Sequence, residues 1–269
     1  MKIALLGCGN MGKAIIAGLL KKYDDIALLA YDKNDAALTS LPDEVLVIPP
    51  EEWYDDDTMP DAIIVAVKPQ DIQEALIPLT KDAEKSAGVL WISIAAGISI
   101  AALEDSLTPT ARVCRVMPNT GALIGEAMSA FACNGNCTPN DIQLADDVLS
   151  ACGKCVNVPE KYMNAITGLS GSGPAYVYLF IEALIEGGVA AGLPYATAKE
   201  CAVQTVIGAA RMVEHGNQNP AILKAQVMSP AGTTVKGLIA LEKNNFKYAV
   251  IQAVAEATKR SEELGSPGH

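Results

Sequence analysis

The stretch KIALLGCGNMG, Lys2–Gly12, decides the fold class. It begins as a short apolar strand and continues into a GxGxxG motif at the start of a helical segment, which is the context that gives this motif meaning. Gly7 permits a tight turn, Gly9 lets the backbone approach a pyrophosphate, and Gly12 lets the helix pack closely on the strand. The helix N-terminus then faces the phosphates. The stretch therefore predicts a dinucleotide-binding site; the alternative is a glycine-rich turn without a ligand.

A second predicted strand, Ile26–Tyr31, ends at Asp32, about twenty residues beyond Gly12. A carboxylate at this position bonds the adenosine ribose and repels the 2′-phosphate of NADP. Lys33 follows directly and would offset that repulsion. The two side chains pull in opposite directions, so we expect the protein to use both NADH and NADPH.

Three further apolar segments, Ala62–Val67, Val89–Ile94 and Arg112–Met117, predict strands that end in turns. Helical segments between strands favour a parallel sheet, and ligands bind at the carboxyl ends of its strands. Each turn alone could be an ordinary strand-to-helix connection, but their recurrence favours a cofactor site. The predicted cofactor-binding residues are Gly7, Cys8, Gly9, Asn10, Met11, Gly12, Asp32, Lys33, Ala66, Val67, Lys68, Pro69, Ala95, Ala96, Gly97, Met117, Pro118 and Asn119.

The chain changes character after a last predicted strand near Val156–Val158. From Gly171–Pro174 to Leu264, nearly every segment has helical periodicity, with alanine-rich apolar stripes. One layer of such helices would expose much apolar surface, so we expect a partner subunit to cover it; an all-helical core without a functional dimer is the alternative. The predicted fold is α/β, with a Rossmann-type dinucleotide-binding domain at residues 1–160 and an all-helical substrate-binding and dimerisation domain at residues 161–269.

Composition narrows the partners and the compartment. The 269 residues carry a net charge of −11, which disfavours nucleic acid and anionic membrane surfaces as partners. No apolar run reaches the roughly 18 residues of a membrane span. The N-terminus enters the glycine motif directly, which indicates a strand rather than a signal peptide. We therefore expect a cytoplasmic protein.

Seven cysteines raise the question of a metal site. The pairs Cys133 and Cys137, and Cys152 and Cys155, mimic the spacing of a zinc ribbon. A helix predicted over Pro139–Ala151, capped by Thr138, would hold the pairs roughly 20 Å apart. We therefore predict no metal, and half-buried thiols in a reducing cytosol.

The chain offers little for acid–base catalysis. Of its two histidines, His269 is terminal and His215 precedes Gly216 at a predicted helix end, where a cation suits the helix dipole. An alcohol dehydrogenase needs a general base to take the hydroxyl proton. Reduction of a C=N bond does not, because an iminium arrives protonated and hydride addition neutralises it. The sequence therefore favours an imine substrate.

A Ser-Pro-Ala-Gly-Thr-Thr run, 229–234, lies between two predicted helices. The helix that begins near Gly232–Thr234 points free backbone N–H groups at the run. With the hydroxyls of Ser229, Thr233 and Thr234, these groups would form a small neutral pocket for a carboxylate. A hydroxyl could also bond the imine nitrogen. The alternative is plain helix capping, with Thr233 as the N-cap.

Together these motifs resemble the pyrroline-5-carboxylate reductases, and the resemblance covers essentially the whole chain. The motifs are GCGNMGKAI (7–15), AVKPQ (66–70), AAG (95–97), RVMPNT (115–120), GLSGSGPAY (168–176) and SPAGTTVKGL (229–238). The resemblance implies NADPH- or NADH-dependent reduction of 1-pyrroline-5-carboxylate to L-proline, the last step of proline biosynthesis. It also implies an interleaved homodimer, often assembled into a decamer. The substrate-binding residues it implies are Ser229, Gly232, Thr233 and Thr234, with Thr234 as the catalytic residue near the ring nitrogen.

Two departures from the family pattern stand out. Ala231 replaces the first glycine of the usual SPGGT, a small change unless the position needs a positive φ. Pro49–Glu51 stands where many members have a polar residue that contacts the NADP phosphate, which with Asp32 argues against strict NADPH preference. Two alternatives remain: a hydroxyacid dehydrogenase of similar build, although Ser170–Gly173 lacks the lysine usual there, and a non-catalytic NAD(P)-sensing protein.

Overall fold

The computed structural model describes residues 1–216 and 218–265. By their internal contacts, Met1–Ser172 and the chain from Glu256 onward form one compact unit, and Gly173–Ala255 form a second. The predicted division at residue 160 stays a prediction. His269 lies outside the described residues.

The first unit contains an eight-stranded sheet with the order β3-β2-β1-β4-β5-β6-β7-β8. The strands are β1 Lys2–Leu6, β2 Ala27–Tyr31, β3 Val45–Val47, β4 Ala62–Val65, β5 Leu90–Ser93, β6 Arg112–Met117, β7 Ala127–Cys133 and β8 Gly153–Asn157. The α-helices of this unit are α1 Asn10–Lys22, α2 Asp35–Leu38, α3 Ile72–Leu76, α4 Ala83–Ala87, α5 Ile100–Ser106, α6 Pro139–Leu149 and α7 Met163–Ile166. A π-helical turn follows at Thr167–Gly171.

The sheet is mixed rather than parallel, which corrects the expectation from sequence. β7 runs antiparallel to β6, in a register that sets Cys114 opposite Cys133, whereas the other neighbouring strands are parallel. The connection between β6 and β7 is too short for a parallel crossover, which needs about a dozen residues or more. Gly125, with a φ of 75°, ends a 3₁₀ turn in this connection and helps the chain to reverse.

Both faces of the sheet are buried, as expected for strands with near-continuous apolar runs. Along β1, Ile3 and Leu5 belong to one hydrophobic cluster, and Ala4 and Leu6 belong to another. Trp53 and Trp91 lie fully buried in the second cluster. The sheet is therefore a rigid base for the turns at its carboxyl edge.

The helix predicted between the cysteine pairs is present as α6, two residues shorter than expected. Thr138 caps it as predicted, and Asp141 completes a reciprocal capping box. All seven cysteines are free thiols. Within residues 1–216 and 218–265, no group of three or more His, Cys, Asp or Glu side chains is placed to hold a metal ion.

After β8, the described residues contain no further strand, as the alanine-rich periodicity predicts. The helices are α8 Gly173–Ala190, α9 Tyr195–Gly216, α10 Pro220–Gln226, α11 Thr233–Lys243 and α12 Phe246–Leu264. Among the described residues of the second unit, the buried side chains are limited to a small cluster of Ile185, Ala198 and Ala202. Its exposed apolar side chains include Val177, Tyr178, Leu179, Met212 and Ile251. No helix among the described residues combines the length and the apolar character needed to cross a membrane.

Candidate functional site

The glycines of the first turn are needed for three different reasons. Gly7 has a φ of 103°, and a Cβ atom there would lie 2.7 Å from the carbonyl carbon of Ala66. A Cβ atom on Gly12 would collide with the carbonyl oxygen of Gly7. A Cβ atom on Gly9 would meet no atom within 4 Å. Gly7 and Gly12 therefore hold the turn against β4 and α1, while Gly9 borders open space.

Helix α1 begins beside this open space with unsatisfied donors. Gly9 is its N-cap, and no side chain caps it. The backbone N–H groups of its first turn lack partners within the helix, so they form a binding site for an anion such as a pyrophosphate.

Asp32 lies against the glycine turn. Its carboxylate accepts hydrogen bonds from the backbone N–H groups of Cys8, at 2.6 Å, and Asn34, at 2.8 Å. The Gly7 N–H donates to the carbonyl oxygen of Tyr31 at 2.8 Å. The end of β2 is thus bonded to the turn that follows β1. Burial and the charge of Asp32 raise the pKa of the Cys8 thiol to about 11, so this thiol stays protonated at neutral pH.

A cavity of about 440 Å³ opens at this edge of the sheet. Of the predicted cofactor residues, those that line it are Gly7, Gly9, Asp32, Lys33, Ala66, Val67 and Lys68. Glu51, which belongs to the Pro49–Glu51 stretch that the family resemblance sets near the NADP phosphate, also lines the cavity, as do two acidic residues that the sequence did not point to, Asp71 and Glu74. The Lys33 ammonium pairs with the Asp71 carboxylate at 2.9 Å. Asp71 follows the AVKPQ motif directly, which is the signal that could have identified it.

The remaining predicted cofactor residues lie outside the lining of this cavity. Cys8 lies in the glycine turn, Asn10, Met11 and Gly12 form the start of α1, and Pro69 follows Lys68. The corners Ala95–Gly97 and Met117–Asn119 follow β5 and β6 at the carboxyl edge. Their contact with a cofactor stays a prediction.

Both of these turns make contacts with other segments of the first unit, and these contacts fix their shape. At Gly97, where φ is 80°, a Cβ atom would lie 3.6 Å from Leu264 Cβ, so the end of α12 packs on this corner. The Asn119 side chain accepts hydrogen bonds from Gly121 N–H and Met128 N–H and donates to the carbonyl oxygen of Ser170. Asn119 therefore ties the end of β6 to the GLSGSG segment.

The run 229–234 in the second unit separates α10 from α11. Gly232 is the N-cap of α11 and no side chain caps the helix, so the alternative with Thr233 as N-cap is wrong. The Gly232 N–H donates to the carbonyl oxygen of Ser229 at 2.9 Å, and a Cβ atom on Gly232 would collide with Ser229 Oγ. Thr233 and Thr234 are exposed at the first turn of α11. Their N–H groups lack partners within the helix.

Ala231 has a φ of 58°, in the left-handed region that favours glycine. The replacement of the usual glycine by alanine is therefore not neutral for the backbone. A non-glycine residue in this region costs about 1–2 kcal/mol.

His215 lies in the last turn of α9, its side chain is 75% exposed, and its nearest ion-pair partner is Glu214 at 3.6 Å. This position suits a helix-end cation better than a catalytic base.

A dinucleotide turn of this geometry, followed along the chain by a helical unit, is the build of an NAD(P)-dependent oxidoreductase. Residues 2–97 match a family model described as NADP oxidoreductase, coenzyme F420-dependent. Residues 160–264 match the model for pyrroline-5-carboxylate reductase dimerisation. The chain is 39% identical to the pyrroline-5-carboxylate reductase of Synechocystis sp. and 34% identical to that of Escherichia coli, in each case over 98% of both chains. The chain belongs to the pyrroline-5-carboxylate reductase family.

Solved structures agree with this assignment. The chain is similar to pyrroline carboxylate reductase from Plasmodium falciparum with NADP bound, with a TM-score of 0.87 and 34% identity over 99% of this chain and 98% of that one. It is also similar to the reductase from Coxiella burnetii, with a TM-score of 0.89 and 30% identity over 98% of both chains. Prephenate dehydrogenase from A. aeolicus, at a TM-score of 0.55 and 12% identity, shares the fold alone.

Proposed function

We propose that this protein reduces 1-pyrroline-5-carboxylate to L-proline with NADPH or NADH, the last step of proline biosynthesis. The observation that carries the proposal is the first turn of α11, where Thr233 and Thr234 present hydroxyls and backbone N–H groups without a competing side-chain cap. Membership of the reductase family supports the same substrate.

The residues of the first unit fit a nicotinamide dinucleotide. The uncapped start of α1 suits the pyrophosphate, the open space beside Gly9 admits it, and Asp32 suits the adenosine ribose. The reduced cofactor supplies a hydride. The chain must hold it, together with the substrate, in a fixed orientation.

The substrate carboxylate is assigned to the Ser229 hydroxyl and to the N–H groups of Thr233 and Thr234. The N–H of Gly232 is not assigned to the carboxylate, because it already donates to the carbonyl oxygen of Ser229. Gly232 contributes instead by having no Cβ atom, which leaves room for Ser229 Oγ.

Thr234 is assigned to the ring nitrogen. A hydroxyl can donate to a neutral imine nitrogen and accept from a protonated one, so it serves both forms. The secondary amine product leaves protonated at neutral pH. No general base with a matched pKa is then required, in keeping with the exposed position of His215.

We further propose that the protein works in the cytoplasm as a homodimer that can assemble into a decamer. The exposed apolar side chains of α8, α9 and α12 support a covering partner, and so does the match of residues 160–264 to the dimerisation model.

The direct test of the activity is oxidation of NADH or NADPH by the purified protein, followed by the loss of cofactor absorbance, with 1-pyrroline-5-carboxylate as substrate. A 2-oxo acid of similar size is the control. Turnover of the imine alone supports the proposal. Turnover of the oxo acid alone indicates a hydroxyacid dehydrogenase, and cofactor binding without turnover indicates a sensing protein.

A further inference from the structure

Lys33 directly follows Asp32, the residue that is expected to bind the ribose. Its ammonium group already has an ion-pair partner. Its ammonium lies 2.9 Å from Asp71 Oδ1. The hydrogen bond to Asp71 raises the pKa of Lys33, with further contributions from Glu74 and Asp32, so the side chain is charged. The structure thus assigns Lys33 a partner other than a phosphate.

Most of the charged side chains that line the cavity around this pair are acidic. The charged groups that line the cavity are the carboxylates of Asp32, Glu51, Asp71 and Glu74 and the ammonium groups of Lys33 and Lys68. No arginine is among the lining residues, although a bidentate arginine is the side chain best suited to a phosphate. The balance of charge therefore disfavours an added 2′-phosphate.

We propose that Asp71 is a specificity-determining residue that makes the site favour NADH over NADPH. It holds Lys33 away from a 2′-phosphate and adds its own negative charge to the cavity. The proposal rests on the NAD(P)H-dependent activity proposed above. It adds Asp71 to the residues from which the sequence predicts cofactor choice, which are Asp32, Lys33 and the Pro49–Glu51 stretch.

The Lys33–Asp71 ion pair can be removed by substitution because it contributes little to stability. Lys33 is 66% exposed and Asp71 is 26% exposed, and exposed ion pairs contribute little to stability. A variant without the Asp71 charge should therefore fold normally and leave Lys33 free. A phosphate dianion would then gain an attraction and lose a repulsion at short range.

The first test is the ratio of kcat/KM with NADPH to kcat/KM with NADH. Asp71→Asn should raise this ratio roughly five- to twentyfold, as expected from the removal of one unit charge close to a dianion. The gain should come from a higher kcat/KM with NADPH, because the phosphate dianion is the group that the lost charge repels. Lys33→Ala should remove most of the gain in the Asp71→Asn background and change the wild-type ratio much less. Asp105→Asn, which neutralises an exposed carboxylate outside the cavity lining, is the matched control and should not move the ratio.

A binding measurement separates this inference from the proposed activity. In isothermal titration calorimetry, wild type should bind adenosine 5′-diphosphate more tightly than its 2′-phosphorylated counterpart, and Asp71→Asn should narrow the difference. Binding of both nucleotides with equal affinity by wild type would overturn the role of Asp71 and leave the activity standing. Failure to bind either nucleotide would overturn both. Two kinetic results would also overturn the inference. In one, Asp71→Asn leaves the ratio of kcat/KM with NADPH to kcat/KM with NADH at the wild-type value. In the other, Lys33→Ala changes that ratio equally in the wild-type and Asp71→Asn backgrounds.

Discussion

The carboxylate of Asp32 accepts a hydrogen bond from the backbone N–H of Cys8 at a distance of 2.6 Å. This bond joins the acid at the end of β2 to the middle of the glycine turn after β1. The residue that is expected to recognise the ribose therefore also stabilises the turn that is expected to hold the pyrophosphate. Changes at Asp32 should affect cofactor affinity and cofactor choice together.

Asp32→Ser should raise the ratio of kcat/KM with NADPH to that with NADH, because the carboxylate that repels the 2′-phosphate is lost. The KM for both cofactors should rise, because the bonds to Cys8 and Asn34 are lost as well. Steady-state kinetics with each cofactor measures both effects. A ratio that does not move would mean that Asp32 is not at the ribose.

Ala231→Gly should stabilise the protein, because glycine adopts a φ of 58° without the cost that alanine incurs there. The larger chain entropy of unfolded glycine offsets part of the gain, so we expect a net increase of about 0.5–1 kcal/mol in the free energy of unfolding. Urea denaturation measures it. The matched control is Ala210→Gly in the interior of α9, which should destabilise by about 1 kcal/mol. Equal losses at both positions would contradict the left-handed conformation of Ala231.

The stability of the protein should fall at alkaline pH partly through Cys8. Its folded-state pKa is raised from 9.0 to about 11, so the unfolded chain loses this proton first as the pH rises. The stabilisation that the folded protein gains from the raised pKa of Cys8 is fully present below about pH 9 and is lost as the pH rises towards about pH 11. Cys8→Ala should make the stability fall less steeply over this range in urea denaturation. An unchanged slope in Cys8→Ala would argue against the burial of this thiol.

The purified protein should be at least dimeric at micromolar concentration, with an interface of obligate size, above roughly 2,000 Å² in total. The reason is the exposed apolar surface of α8, α9 and α12. Light scattering coupled to size-exclusion chromatography gives the mass directly. Val177→Glu places a charge on this surface and should weaken the assembly, whereas Val47→Glu, at an exposed position on β3, should not. A monomeric wild type would remove the claim.

The features that could be predicted from the sequence are those encoded in contiguous residues. The first turn was readable because Lys2–Gly12 carries strand, glycine spacing and helix start together, and α6 was readable from its cap at Thr138. β7 was missed because AMSAFAC has no clear alternation and its position depends on pairing with β6. The predicted ends of β4 and β5, Val67 and Ile94, lie two residues and one residue beyond the observed ends, because the apolar pattern continues into the turns.

Two features of the candidate site could not be predicted from the sequence, because they depend on the folded structure. Asp71 matters through its ion pair with Lys33, 38 positions earlier, which no local pattern encodes. The effect of Ala231 depends on a backbone angle, which a single residue letter does not specify.

In the proposed function, Thr234 holds the nitrogen of the imine that the enzyme reduces, and a comparison of two variants tests this role most directly. Loss of a hydrogen bond to a charged group costs about 1.5–3 kcal/mol, so Thr234→Ala should lower kcat/KM for 1-pyrroline-5-carboxylate roughly ten- to hundredfold. NADH affinity, measured by the fluorescence of the reduced nicotinamide, should stay close to wild type, and His215→Ala should keep near-normal turnover. Activity that survives Thr234→Ala and is abolished by His215→Ala would contradict the account and indicate a dehydrogenase with a general base.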